Sequence, residues 1–202
     1  MDVISEKKLS RRALLRNSLI TATVAAVPAF AQKAVTPTPA AAPAPGANPQ
    51  IDDLKKALAA SHAYTIDIAK AMPEEKYNFK PVPLVEIRTF GQQMVHIGDA
   101  LSRIYQHFVE KKDVGIPVEA AKEKVDSKAE VIAGLEAAYK YVEDAVGRST
   151  DAALDEPKPF FGGRQVPARQ IIRTLLDHCT HHRAQTVVYL RLNGIVPPSY
   201  RA

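Results

Sequence analysis

Asp177-His-Cys-Thr-His-His-Arg-Ala-Gln185 is the stretch on which the fold turns. It lies inside a longer segment, about Pro167 to Leu192, whose apolar residues recur at helical spacing and which ends at Asn193-Gly194 before Pro197-Pro198. A helix advances roughly 100° and 1.5 Å per residue, so His178 and His182, four apart, project from one face about 6 Å from each other. Two imidazoles so placed can hold one ion. His181 is rotated away from that pair and cannot share its coordination sphere without distorting the helix. Position 179 is Cys, which removes the glutamate general base that a zinc-protease H-E-x-x-H motif requires. The pair needs a third ligand from elsewhere in the chain.

Working outward, three further segments carry helical stripes. Ile51, Leu54, Leu58, Thr65, Ile68 and Met72 mark a first helix ended by Pro73. An irregular link, Pro73 to Glu86, leads to a second with Phe90, Met94, Ile97, Leu101, Ile104 and Phe108, which stops near Glu110-Lys111-Lys112-Asp113. Ser127 caps a third, with Glu130 as capping-box partner; Val131, Leu135, Ala138, Val142 and Val146 continue its face and Gly147 closes it. No stretch alternates as a strand would, so the fold expected is all-α, an antiparallel four-helix bundle. His96 and His107 share an angular position on the second helix but lie about 16 Å apart, too far to bind one ion. His96, beside Ile97, leans toward the bundle and is the third ligand chosen; His107, near the helix end, is solvated. His62 on the first helix is the competing ligand and otherwise an interfacial histidine.

The ends do not belong to the bundle. Ser10-Arg-Arg-Ala-Leu-Leu-Arg16, a mildly apolar run and the small-residue site Ala29-Phe30-Ala31 read as a twin-arginine signal over residues 1–31, which predicts export to the periplasm by the machinery that carries folded proteins. Asn17 to Ala31 is shorter than the roughly 20 residues of a membrane span, so no permanent anchor is expected. Residues 32–50, rich in Ala and Pro, read as a disordered linker, leaving 51–202 as one domain. The formal charge of +5 is largely the signal's, where Lys7, Lys8, Arg11, Arg12 and Arg16 oppose Asp2 and Glu6; the remainder is about +2. Without a basic stripe, binding to nucleic acid has no electrostatic footing. The lone cysteine, Cys179, forms no intramolecular disulfide and belongs in the core.

Pro73-Glu-Glu-Lys-Tyr-Asn-Phe-Lys-Pro81, Arg88-Thr-Phe-Gly-Gln-Gln-Met-Val-His96, and His178-x-x-His-His-Arg-Ala-Gln185 running on through Tyr189-Leu-Arg-Leu-Asn-Gly-Ile-Val-Pro-Pro198 together resemble the DinB-like metalloproteins. The resemblance spans essentially all of 51–202. It implies a four-helix bundle with three histidines around a divalent ion, carried over here to His96, His178 and His182, and it implies a homodimer. Many relatives have Gly where this chain has Ala184, and the characterised relatives that use mycothiol or bacillithiol work in the cytoplasm, unlike an exported chain. Three neutral imidazoles with an open position suit hydrolysis or thiol S-transfer on a small molecule; a non-catalytic metal-binding or stress protein of the cell envelope is the alternative. Zinc, nickel, iron and manganese all suit such a site. Asp99, Gln185 and Tyr189 are the residues expected to orient the ligands, and no catalytic acid or base is assigned.

Overall fold

The stripes predicted from the sequence become buried helix faces in the computed structural model, which describes residues 49–83, 86–115, 125 and 127–201. These residues belong to one compact unit, Ala42–Ala202. The signal expected at 1–31 and nearly all of the linker at 32–50 lie outside the described residues.

The long helices are α1 (Pro49–Ala71), α2 (Phe90–Ile104), α3 (Lys128–Gly147) and, after a short α4 (Asp151–Asp155), α5 (Ala168–Leu192). They form a ring in which α1 and α2 each pack on both α3 and α5. Their directions follow from side-chain pairings. Ser61 meets Tyr139 while the carbonyls of Lys70 and Met72 meet Lys128, so α1 and α3 are antiparallel. Arg88 meets Tyr189 and His96 meets His178, so α2 and α5 are antiparallel as well. Ser61 also meets Arg183, and Asp67 meets Arg201 beyond the end of α5, so α1 and the chain from α5 onward advance together. The sequence neighbours α1 and α2 therefore stand on a diagonal, and the chain between them needs the long link, residues 72–89, rather than a tight turn.

Every residue named in the stripes of α1 and α2 is buried, as are Val131, Leu135, Ala138, Val142 and Val146 of α3. Burial of such faces, at about 25 cal/mol per Å² of apolar surface, is the main force assembling the bundle. The ends are closed locally. Thr89 and Gln92 form a reciprocal capping box at the start of α2. The Ser127 hydroxyl accepts from the Glu130 amide at 3.2 Å. Gly194, at φ +72°, follows α5 and lets the chain leave the helix.

The link also satisfies the first amides of α2. Phe90 N–H donates to the Phe79 carbonyl at 3.0 Å and Gly91 N–H to the Tyr77 carbonyl at 2.8 Å. Tyr77, 1 % exposed, donates its hydroxyl to the Ala69 carbonyl at 2.7 Å. A Cβ on Gly91 would stand 2.9 Å from Val125 Cβ and 3.1 Å from the Tyr77 carbonyl oxygen. Gly91→Ala is therefore expected to cost about 1–3 kcal/mol, measured as the shift of the urea unfolding midpoint.

Three features depart from the sequence reading. The second helix leaves α geometry at Ile104 and widens into a π turn, Tyr105–Val109. Within it His107 is half-buried, with its ring 4.7 Å from that of Phe108 and its Nδ1 buried without a hydrogen-bond partner, so it is not the solvated residue expected. A small antiparallel hairpin, β1 (Pro157–Pro159) and β2 (Gln165–Pro167), turns through Gly162 and Gly163 at φ +72° and +74°. Three residues per strand, with proline at both ends of one and at the end of the other, are too few to show an alternating pattern. No helix among the described residues is long and apolar enough to cross a membrane.

Candidate metal centre

α5 turns His178 and His182 onto α2, and the antiparallel crossing brings His96 between them. The ring of His96 lies 5.2 Å from that of His178 and 4.5 Å from that of His182, and the His178 and His182 rings are themselves 4.5 Å apart. One nitrogen from each falls within 4.8 Å of the others. Nε2 of His96 and Nε2 of His178 are 3.1 Å apart. Two ligands each about 2.0–2.1 Å from one ion are themselves about 3.0–3.4 Å apart, depending on geometry. The donor set fits a divalent cation of the first transition series.

All three imidazoles are held neutral. Burial, then the Arg88 charge, then His178 push His96 down to about 4. Burial followed by His96, His178, Arg88 and His181 pushes His182 down to about 3. His178 is lowered for the same leading reason, burial, helped by His181 and Arg88. A nitrogen without a proton at neutral pH is what coordination requires.

The tautomer of His182 is set by a residue whose importance the sequence did not reveal. Its Nδ1–H donates to Gln93 Oε1 at 2.9 Å, leaving Nε2 with its lone pair free. Gln93 then donates from Nε2 to Gln185 Oε1 at 2.5 Å, and Gln185 Nε2 donates to His181 Nε2 at 3.0 Å. Gln93 thus does directly what had been expected of Gln185, which stands one bond further out. The fixed tautomer follows from the amide chain, because an amide carbonyl can only accept and its NH₂ can only donate.

Asp99 does not orient a ligand: it faces Arg103 at 3.9 Å and lines a separate groove between α2 and α3 with Gly98, Gly134 and Tyr141. Tyr189, 3 % exposed, donates its hydroxyl to the Arg88 carbonyl at 3.0 Å, which fixes the entry to α2, and its side chain also hydrogen-bonds Gln93, so it reaches His182 only through that amide. His181 is exposed and outside the cluster. His62 is no third ligand, because its two ring nitrogens face Glu143 at 3.1 Å and Glu136 at 2.8 Å on α3, with its ring stacked on Tyr139 at 4.8 Å.

Cys179 lies one residue from His178, is turned about 100° from it around the helix and is fully buried. Burial raises its thiol to about 11, so little thiolate exists at neutral pH. A disulfide reagent should leave it unmodified on the native protein and label it only after unfolding; rapid labelling of the folded chain would contradict this placement.

The sequence from 57 to 186 matches the family described as the DinB superfamily. Among solved structures, a DinB-like protein of Bacillus cereus is 22 % identical, with 74 % of this chain and 96 % of that one covered at a TM-score of 0.63. A DinB-like protein of Bacillus subtilis is 17 % identical, covering 74 % and 97 %, with a TM-score of 0.58. A conserved protein of Enterococcus faecalis is also 17 % identical, covering 72 % and 98 %, with a TM-score of 0.60. At these identities the likeness is one of fold. No curated sequence matches the chain.

Proposed function

The chain belongs to the DinB superfamily, and on that premise we propose that it is an exported metalloprotein that holds one divalent ion on His96, His178 and His182 and acts on a small molecule, as a hydrolase or a thiol S-transferase. The observation that carries the reading is the convergence of three neutral imidazole nitrogens from two helices within 4.8 Å. Bound there, a divalent ion supplies Lewis acidity that lowers the pKa of a coordinated water or thiol toward neutrality. The protein supplies the rest. α2 and α5 hold the three rings in place, and Gln93 keeps the proton of His182 on Nδ1.

The second reading, a non-catalytic metal-binding protein of the cell envelope, is favoured by one observation. Gln93 and Gln185 are the side chains bonded around the histidine cluster, and no carboxylate among the described residues bonds to any of the three rings. The ready proton acceptor of a hydrolase is therefore not built beside the ligands. A screen of thiol transfer and of amide and ester hydrolysis with the metal-loaded protein separates the two. Turnover that disappears in His182→Ala supports the enzyme, and tight metal binding without turnover on any of these substrates supports the binding protein.

Two expectations extend this account. Gln93→Leu should lower metal affinity about 10–100-fold, the usual cost of losing a partner that orients a ligand, with helical content preserved; competition against a chelating dye measures it. Replacing Arg11→Lys and Arg12→Lys together should retain the full chain in the cytoplasm on cell fractionation, as the signal-like residues 1–31 lead one to expect. Undiminished export would remove the twin-arginine route from the proposal.

A further inference from the structure

The outer face of α5 is left uncovered by the other described residues. The helix buries Ile172, Leu175, Cys179 and Leu190 on one side. Asp177, His181, Ala184, Val188 and Arg191 fall on the opposite side, at steps of four, three, four and three, and all are exposed. Leu192 stands beside this row, and Val196 and Tyr200 follow the helix. With Val188 they make four of the six large apolar side chains exposed to solvent among the described residues. Such a concentration marks a surface that meets a partner.

The charges on the row indicate which partner. Asp177 and Arg191 stand seven residues to either side of Ala184, each about 10.5 Å away along the axis and within about 20° of it around the helix. Neither forms an ion pair among the described residues. A second α5 laid antiparallel against the first, with a two-fold axis at Ala184, sets Asp177 of each copy against Arg191 of the other, so the surface complements itself twice. The same operation brings Val188 of each copy against His181 of the other and places the small Ala184 at the closest approach of the two helices. Laid parallel in register, the rows would set Asp177 on Asp177 and Arg191 on Arg191. The remaining charge of the row, Arg173, lies a turn beyond Asp177 and so falls past Arg191 of the second copy, opposite Ile195.

We propose that the outer face of α5 is an interface on which a second copy of this chain docks, antiparallel and two-fold symmetric about Ala184. Val188, with Leu192 at its edge, supplies apolar burial. The two Asp177–Arg191 pairs fix direction and register, because charge pairs at the rim of an interface contribute more to specificity than to affinity. One helix row offers less than the roughly 800 Å² per partner of a standard interface, so the association expected is weak and reversible, with a micromolar Kd. The pairing calls for no metal and stands apart from the reading of the histidines.

Sedimentation equilibrium of the full chain, freed of metal by a chelator, reads the association. D177R and R191D each turn two attractive pairs into two repulsive ones and should weaken the dimer by about tenfold or more. D177R/R191D in one chain should restore it, and the two single variants mixed in equal amounts should pair with each other. V188E, which sets a charge in the apolar seam, should leave only monomer. All these positions are exposed, and circular dichroism of each variant checks that the helices are kept. A wild type that stays monomeric at about 200 μM overturns the proposal. A dimer indifferent to both single reversals overturns it too, as do losses that neither the double variant nor mixing recovers.

Discussion

His182→Ala should abolish tight binding of a divalent ion while leaving the bundle folded, and His181→Ala, one residue away, should change affinity by less than about tenfold. The contrast follows from helix geometry. His182 is 7 % exposed with Nε2 turned into the cluster, whereas His181 is exposed, accepts a hydrogen bond from Gln185 and lies outside the three-nitrogen cluster. Removing one of three ligands should cost well beyond the about 10–100-fold of losing an orienting partner such as Gln93. Isothermal titration with zinc, repeated for both variants, reads the difference. Equal losses in the two would mean that the histidine run binds metal as a loose surface cluster.

The same burial gives the metal-free protein a defined response to acid. His96 and His182 titrate near 4 and 3 in the folded chain and near 6.5 when unfolded. Below about pH 6.5 the unfolded state takes up protons that the folded state refuses, so stability is fully present above that value. It is lost as pH falls through the window from 6.5 toward 4 and 3. His178, lowered in the same direction, adds to the loss. Urea unfolding in the presence of a chelator at pH 7.5 and at pH 4.5 checks the sign: a flat profile would show the imidazoles to be already accessible to protons.

The second large effect is expected at Arg183, which is 4 % exposed and carries its charge into the interface of α1 and α5. One guanidinium nitrogen donates to the Ser61 carbonyl at 3.3 Å, the Ser61 hydroxyl at 2.8 Å and Thr65 Oγ1 at 3.1 Å. The other donates to Thr180 Oγ1 at 3.0 Å, and the group stacks 5.0 Å over the Tyr64 ring. Tyr139 joins from α3, its hydroxyl within 2.9 Å of Ser61 and 3.0 Å of Thr65. Arg183→Leu keeps apolar bulk but strips donors from several buried oxygens at once. The loss should be about 3–5 kcal/mol, a large part of the roughly 5–15 kcal/mol by which a domain is stable. A change below about 1 kcal/mol in denaturant titration would show that water or rearranged hydroxyls replace it.

What the sequence made legible is what periodicity encodes. Leu58, Ile68, Met94, Leu101, Leu135 and Val142 recur at helical steps, and a helix converts those steps into one buried face without further information. The His178 and His182 pair was legible for the same reason, and His96 because it neighbours Ile97 on the inward side. Gln93 was not, since its role depends on α2 and α5 crossing antiparallel, which brings together residues far apart in sequence. His62 was ambiguous because a position beside an apolar stripe faces either neighbouring helix, and only the ring order of the bundle turned it to Glu136 and Glu143.

X-ray absorption at the metal edge of the purified chain tests the central claim most directly. The account predicts one ion per chain with scattering from three imidazoles at about 2.0–2.1 Å if the ion is zinc, and loss of one imidazole contribution or of the ion itself in His96→Ala. A wild-type chain that retains no divalent ion at stoichiometric supply, or an ion whose spectrum is unaltered by removing His96, would contradict it.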